Sequence, residues 1–73
     1  MDVINGIRLQ VVADLATGKE TEATSEEKGI AHKARNTLYR LRRKGYAREQ
    51  CRLGFWNKIV DEANKITPPI FPP

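Results

Sequence analysis

The side chains that most often perform chemistry in proteins are scarce in this sequence. It contains one histidine, His32, and one cysteine, Cys51, and its acidic residues gather towards the two ends of the chain. A nucleophilic mechanism needs a base beside the nucleophile, and a zinc site needs several ligands at short spacings. We therefore expect a protein that is not an enzyme and that holds neither a cofactor nor a metal ion.

The distribution of charge carries the strongest functional signal. Between Lys28 and Arg52 the chain holds nine of its thirteen Lys and Arg residues against one acid, Glu49, which makes a local formal charge of +8. Exposed helix faces usually mix both signs, because opposite charges at i and i+4 stabilise a helix. The acid-free run from Lys28 to Lys44 therefore predicts a surface that binds an anionic partner. The alternative is a cationic face that serves solubility alone.

Length and composition limit the remaining choices. A chain of 73 residues with 40% hydrophobic and 30% charged residues predicts one small domain, residues 1–67, with a stability of about 3–5 kcal/mol. No apolar run approaches the ~20 residues of a membrane helix, and the N-terminus does not resemble a signal peptide. A single cysteine fits a reducing compartment. We expect a protein of the cytoplasm with no membrane contact.

Alternating apolar residues predict a strand near the N-terminus. The residues that would share one side of it are Ile7, Leu9, Val11 and Ala13. Residues 14–18, with Asp14 and Gly18, have the composition of a hairpin loop. The polar segment 19–23 would then pair as an exposed edge strand. The sequence thus predicts a β-hairpin over about residues 7–23.

A second turn is possible at Asn5-Gly6, a strong hairpin signal. It would pair Val3-Ile4 with Ile7-Arg8. We rank it lower, because strands of two residues are too short to hold alone.

A first helix is predicted over about residues 25–44. Thr24 and Glu27 have the spacing of a capping box, and Gly45 is a natural residue to end the helix. At helical spacing, the apolar residues form a narrow stripe made of Ile30, Ala34, Leu38 and Leu41. The basic residues, with Tyr39 among them, occupy most of the remaining circumference.

A second helix is predicted over about residues 47–66 and ends before Pro68. Its apolar arc is wide and comprises Leu53, Phe55, Trp56, Ile59, Val60, Ala63 and Ile66. A wide arc indicates two packing neighbours, so we expect Trp56 in the core, between the first helix and the hairpin. Gly54 falls on the polar side, where it costs roughly 1 kcal/mol relative to Ala and allows a kink.

These elements together predict an α+β fold. An N-terminal β-hairpin packs on two antiparallel α-helices, and an extended Pro-rich tail follows over residues 68–73. The tail has polyproline character, and it is either a second contact or a frayed end.

Residues 35–46 resemble the recognition helix of bacterial helix-turn-helix regulators of the Fis type and of the related winged-helix type. The matching residues are Arg35-Asn36-Thr37-Leu38-Tyr39-Arg40 followed by Leu41-Arg42-Arg43-Lys44-Gly45-Tyr46. In those families a short turn precedes the helix, and Gly29-Ile30 would supply it here. The resemblance implies that Arg35, Asn36, Tyr39 and Arg40 face the major groove while Arg42, Arg43 and Lys44 contact phosphates.

In length, charge and layout the whole chain also resembles the small transcription regulators that phages make to control host RNA polymerase. That resemblance implies contacts with the large polymerase subunits and displacement of the sigma factor. Our leading hypothesis is a monomeric transcription regulator that binds bacterial RNA polymerase. The residues expected to bind the partner are Arg35, Tyr39, Arg40, Arg42, Arg43, Lys44 and Arg48. The alternative is direct binding of DNA or RNA by the same helix.

Overall fold

The computed structural model describes residues 2–66, and the predicted tail over residues 68–73 lies outside that part of the chain. The elements in chain order are β1 (Val3–Ile4), β2 (Ile7–Arg8), α1 (Leu9–Ala16), α2 (Ser25–Arg43) and α3 (Arg48–Lys65). The α+β class with an N-terminal β-hairpin is confirmed, and so are the two long helices. The position of the hairpin is different from the predicted one.

The hairpin is built on Asn5-Gly6, the turn that the sequence analysis ranks second. The antiparallel pairs are Val3 with Arg8 and Ile4 with Ile7. Asn5 and Gly6 have φ values of 51° and 82°, which suits the twist of a two-residue hairpin loop. Tertiary contacts hold these short strands. The Asn5 amide donates to the carbonyl oxygen of Ala63 at 3.1 Å, and the Ile7 side chain is buried.

The predicted strand over residues 7–13 is wrong, because most of it forms α1. The buried residues of α1 are Leu9, Val12, Ala13 and Ala16, which is the i, i+3, i+4, i+7 spacing of a helix face. Over so short a stretch the apolar residues match both the strand and the helix period. The helix satisfies its own backbone groups while it packs against both α2 and α3.

Gly18 ends α1 and does not turn a hairpin. Its φ is 94°, and the amides of Gly18 and Lys19 donate to the carbonyl oxygens of Leu15 at 3.2 Å and Asp14 at 2.9 Å. This is the hydrogen-bond pattern of a Schellman motif. Residues 19–23, predicted as an edge strand, have no regular secondary structure. The sequence analysis therefore identified Gly18 as a residue for a turn, but it assigned Gly18 to a hairpin loop and not to the end of a helix.

α2 begins at the predicted capping box. The Thr24 hydroxyl accepts a hydrogen bond from the Glu27 amide at 3.2 Å, and the Glu27 carboxylate accepts one from the Thr24 amide at 3.0 Å. The same buried carboxylate accepts three hydrogen bonds from Arg8, from the backbone amide and Nε at 2.9 Å each and from Nη2 at 2.7 Å. Because Arg8 immediately precedes α1, this Glu27 junction (Arg8, Thr24 and Glu27) joins the hairpin to the starts of two helices.

α2 and α3 are antiparallel neighbours, as predicted. Lys33 pairs with Glu62, at 2.9 Å between Nζ and Oε1, while Leu41, further along α2, faces Gly54, which comes earlier in α3. The prediction that Gly54 lies on the polar side is wrong, because a Cβ at this position would lie 2.5 Å from Leu41 Cδ1. α3 is continuous through Gly54. Glycine here allows two helices to approach closely.

The core lies where α1 packs on the pair of long helices. The residues with no exposed surface in it are Val12, Ala34, Ile59 and Ala63. Along the predicted stripe of α2, Ile30 and Ala34 are buried, whereas Leu38 and Leu41 are only partly buried. The core therefore becomes thinner towards the turn that joins α2 to α3.

Candidate functional site

The residues predicted to bind a partner lie on and just after the C-terminal half of α2. We call this set the cationic face, and its members are Arg35, Tyr39, Arg40, Arg42, Arg43, Lys44 and Arg48. All seven side chains are exposed. The buried Ile30 and Ala34 hold one side of α2 against the core. At about 100° per residue, the exposed residues of α2 either flank that side or point away from it.

The residues of the cationic face lie on more than one side of α2. Arg35, Tyr39 and Arg42 follow i, i+4, i+7 spacing and share one side of the helix. The Arg35 guanidinium lies 5.5 Å from the centroid of the Tyr39 ring, and its Nε donates to the Tyr39 hydroxyl at 3.0 Å. Arg40 lies on another side, where its Nη2 donates to the Thr37 hydroxyl at 3.3 Å. The structure therefore does not gather all seven residues in one patch.

The positive charge of the cationic face is uncompensated. In the described part of the chain, residues 2–66, none of its Arg or Lys side chains takes part in an ion pair. The buried acids are engaged elsewhere, Glu27 by Arg8 and Glu62 by lysines of α2 and α3. Opposite charges are thus paired towards the hairpin end of the molecule, and not beside the α2–α3 turn.

Glu62 is the second buried carboxylate of the fold. Its Oε1 lies 2.9 Å from Lys33 Nζ, and its Oε2 lies 3.0 Å from Lys65 Nζ and 3.9 Å from Lys58 Nζ. Hydrogen bonds from Lys33 and Lys65 lower the pKa of Glu62 to about 2. The side-chain hydrogen bond from Arg8 is the main cause that lowers the pKa of Glu27 to about 2. Both groups are therefore ionised at neutral pH and stabilise the fold.

The turn between α2 and α3 is well defined by hydrogen bonds. Gly45 has a φ of 82°, and the amides of Gly45 and Tyr46 donate to the carbonyl oxygens of Arg42 at 3.1 Å and Leu41 at 3.3 Å. The predicted role of Gly45 at the end of the helix is confirmed. The Cys51 thiol donates to the carbonyl oxygen of Tyr46 at 3.5 Å, which ties the turn to α3.

An open groove of about 890 Å³ lies beside this turn, and we call it the corner groove. Its apolar wall consists of Leu38, Cys51, Phe55 and Trp56. Tyr46 and Leu53 lie at its edge, and its charged residues are Arg42, Arg48, Glu49 and Arg52. Gln10 and Thr17 close the side next to α1. The volume lies within the range of about 300–1,000 Å³ that is usual for ligand clefts.

The apolar residues of the corner groove were not predicted as functional. Leu53 is 58% exposed and Tyr46 is 49% exposed, although both are large. Trp56, predicted for the core, is half-buried, because it packs on the core and also lines the groove. The wide apolar arc of α3 was the available signal. The hairpin was expected to cover this apolar arc, but it contacts the other end of α3, at Ala63. α1 has eight residues and α3 has eighteen, so α1 is too short to cover the whole arc.

The turn required by the helix-turn-helix resemblance is not found at its predicted position. Gly29 and Ile30 both lie inside α2, which is continuous from Ser25 to Arg43. Residues 35–43 thus form the second half of a long helix. In helix-turn-helix proteins the first residues of the recognition helix reach the bases, whereas here the start of α2 is bound to Arg8. The cationic face itself stays accessible to phosphates.

Groups that bind metals do not cluster in the described residues. Within residues 2–66, no three His, Cys, Asp or Glu side chains lie where they could hold a metal ion. His32 is exposed, with its Nε2 at 3.4 Å from the Asn36 amide nitrogen. Cys51 is buried in the wall of the corner groove.

Comparison with known proteins identifies no relative: no family model, curated protein or solved structure matches this chain. Among the helices of residues 2–66, none combines the length and the apolar character needed to cross a membrane. The interpretation of function therefore depends on the chemistry of the cationic face and the corner groove.

Proposed function

We propose that this protein is a small, non-enzymatic transcription regulator of the phage type, which binds bacterial RNA polymerase through the cationic face and so inhibits or alters transcription. It acts as a monomer in the cytoplasm of a bacterial host. The observation that carries the proposal is an arginine-rich surface, unpaired with acids among residues 2–66, that adjoins an apolar groove. The resemblance of the whole chain to phage regulators in length and layout supports the choice of polymerase.

The composition of the surface favours a protein partner. Arg, Tyr and Trp are enriched at the centres of protein interfaces, whereas Lys is depleted. The cations of the cationic face are arginines with the single exception of Lys44. Tyr39 lies among them, and Arg42 and Arg48 reach the groove that Trp56 lines. A surface selected only for solubility has no need of this bias towards arginine and aromatic residues.

The test is a binding titration with purified, nuclease-treated bacterial RNA polymerase, followed by transcription from a promoter in vitro. We expect saturable binding at a fixed stoichiometry and a change in transcript yield. The double variant Arg42→Glu with Arg43→Glu should weaken binding by at least about tenfold, since it places like charges against an acidic surface.

The matched control carries the same change in charge elsewhere. Lys19→Glu with Lys28→Glu alters two exposed lysines outside the cationic face. This variant should bind with an affinity within about twofold of the unaltered chain, because charges that stay in solvent contribute little to binding. Polymerase binding by the Arg42/Arg43 variant with the affinity of the unaltered chain would refute the assignment of the site.

Direct binding of DNA or RNA is the second candidate function. It is favoured by Tyr39, which is exposed beside Arg35 and could stack on a base. A chain that neutralises Z phosphates of duplex DNA loses affinity with a log–log salt slope of about −0.9Z. A steep slope with oligonucleotides, together with loss of all polymerase binding after nuclease treatment, would replace the first candidate by this one.

A further inference from the structure

We infer that the corner groove binds an amphipathic helix of the partner, one that carries acidic residues beside its apolar stripe. The inference deepens the proposed function and depends on it only for the identity of the partner. It names the segment of the partner that is recognised, and it assigns a binding role to Leu53 and Trp56, which lie outside the cationic face.

Apolar surface at the groove is available for burial. Leu38 and Trp56 are partly buried in the chain alone, and Leu53 is more than half exposed. An apolar stripe laid along this wall would remove such surface from water, which is favourable. Aromatic residues in this position are the usual anchors of interfaces. Contact of the groove with apolar side chains is therefore more favourable than its contact with water.

The charges around the apolar wall favour a partner with negative charge. Arg42, Arg48 and Arg52 all line the groove, and the described residues offer no ion pair to any of them. Glu49 is the one acid among the lining residues. Arginines form bidentate hydrogen bonds with carboxylates. Acidic residues at the margins of an apolar stripe would meet these guanidinium groups when the stripe lies on the wall.

The backbone of the groove favours a helix as the occupant. An extended segment binds best along a free sheet edge, which satisfies its backbone groups. The lining residues come from α1, α2, α3 and the α2–α3 turn, and the β1–β2 sheet of the described chain is not among them. A helix satisfies its own backbone hydrogen bonds and presents a stripe of side chains, so it needs no such edge.

Two other occupants fit less well. A second copy of this chain would bring two arginine rims together, and like charges facing each other across an interface are unfavourable. A nucleic acid would find the phosphates matched by the arginines. Its bases could stack on Trp56, but Leu38 and Phe55 leave the rest of the apolar wall without side-chain groups that hydrogen-bond to the edges of bases.

Trp56 is the only tryptophan in the chain, so its fluorescence reports on the groove directly. The probe is a synthetic helical peptide of about four turns with Leu at i, i+4 and i+7 and Glu at the flanking positions, a spacing that forms one face. Titration of the full chain with this peptide should shift the Trp56 emission to the blue and saturate. A peptide with the same Leu residues and Lys in place of Glu should give no shift.

Paired variants test the position of the site. Leu53→Ser should weaken binding of the acidic peptide at least about fivefold, as expected for an interface anchor. The matched control is Val3→Ser, since Val3 is 52% exposed and Leu53 58% but Val3 lies in the hairpin. This control should bind as the unaltered chain does. Arg52→Glu should weaken binding to a similar extent as Leu53→Ser.

The outcomes separate this inference from the proposed function. The inference is overturned if the acidic peptide gives no saturable shift of the Trp56 emission, or if Leu53→Ser and Val3→Ser weaken binding equally. It is also overturned if the emission of the chain alone changes on dilution, which would indicate self-association, or if a single-stranded oligonucleotide gives a larger shift than the peptide. If polymerase binding persists in those cases, the proposed function survives without it. If polymerase does not bind while the acidic peptide saturates the groove, the inference survives and the proposed function fails.

Discussion

The hairpin end and the turn end of this small protein use arginine in opposite ways. At the hairpin end, Arg8 makes three hydrogen bonds to the buried carboxylate of Glu27. At the turn end, Arg42 and Arg48 line an open groove, and within residues 2–66 neither forms an ion pair. Arginine thus stabilises the fold at the hairpin end and provides an unpaired charge at the turn end.

The difference shows that net charge alone does not locate a binding surface. Every buried acid of the described chain is bound to a basic partner, Glu27 to Arg8 and Glu62 to Lys33 and Lys65. The cations that form no ion pair within residues 2–66 lie in α2, in the turn after it and at the start of α3. A binding hypothesis is therefore better founded on the charges that the fold leaves unpaired than on the charge of the sequence.

The largest expected effect is a loss of stability in acid, because protonation of Glu27 and Glu62 removes both buried ion pairs. Glu27 and Glu62 have a pKa of about 2 in the folded protein against 4.5 ordinarily. Their contribution is complete well above pH 4.5 and is lost as the pH falls from there through about 2, since the unfolded chain takes up the protons first. Circular dichroism during urea titrations at pH 7, 4 and 3 should show the free energy of unfolding decreasing. A constant value over this range would contradict the ion pairs.

Breaking the Glu27 junction alone should have the next largest effect. Glu27→Gln removes the charge from a carboxylate that accepts four hydrogen bonds, and hydrogen bonds to charged groups contribute about 1.5–3 kcal/mol. We expect a loss of about 2 kcal/mol in urea unfolding. Glu26→Gln, an exposed neighbour in the same turn, is the control and should change stability by less than about 0.5 kcal/mol. Equal effects of the two would mean that the junction is not a distinct source of stability.

Substitutions of the two glycines inside the long helices should have a smaller effect on stability, and one of the opposite sign. A Cβ added at Gly29 would have no neighbouring atom within 4 Å, whereas a Cβ at Gly54 would meet Leu41. Gly29→Ala should therefore stabilise the protein by roughly the full helix-propensity difference of about 1 kcal/mol. Gly54→Ala should gain less, because Leu41 must move. Thermal melts of the two variants measure this, and a larger gain at Gly54 would argue against close contact of α2 with α3.

The smallest effect on stability is expected at the turn end, where the effect on binding is largest. Arg42→Glu with Arg43→Glu changes exposed, unpaired side chains, and such changes usually stay within about 0.5 kcal/mol. Its thermal melt should nearly superimpose on that of the unaltered chain. A strongly lowered melting temperature would show that these arginines are structural and would remove the contrast with Arg8.

Much of the helical structure could be predicted from local chemistry. The capping box at Thr24 and Glu27, the end of α2 at Gly45 and the extent of α3 all depend on residues close in sequence. α1 was missed because Leu9, Val12, Ala13 and Ala16 lie in a stretch of residues that also alternates. The Asn5-Gly6 hairpin was ranked too low because the bonds that hold it reach Glu27 and Ala63.

The candidate site was predictable only in part, for the same reason. An acid-free run of basic residues on a helix with a narrow apolar stripe must expose those residues, so local sequence was enough to specify the exposure of the cationic face. The corner groove, in contrast, arises from the packing of the helices. Whether Leu53 and Trp56 are covered depends on where α1 packs and how far it extends, and side chains distant in sequence set that position. Long-range packing thus turned part of an expected core into an accessible apolar wall.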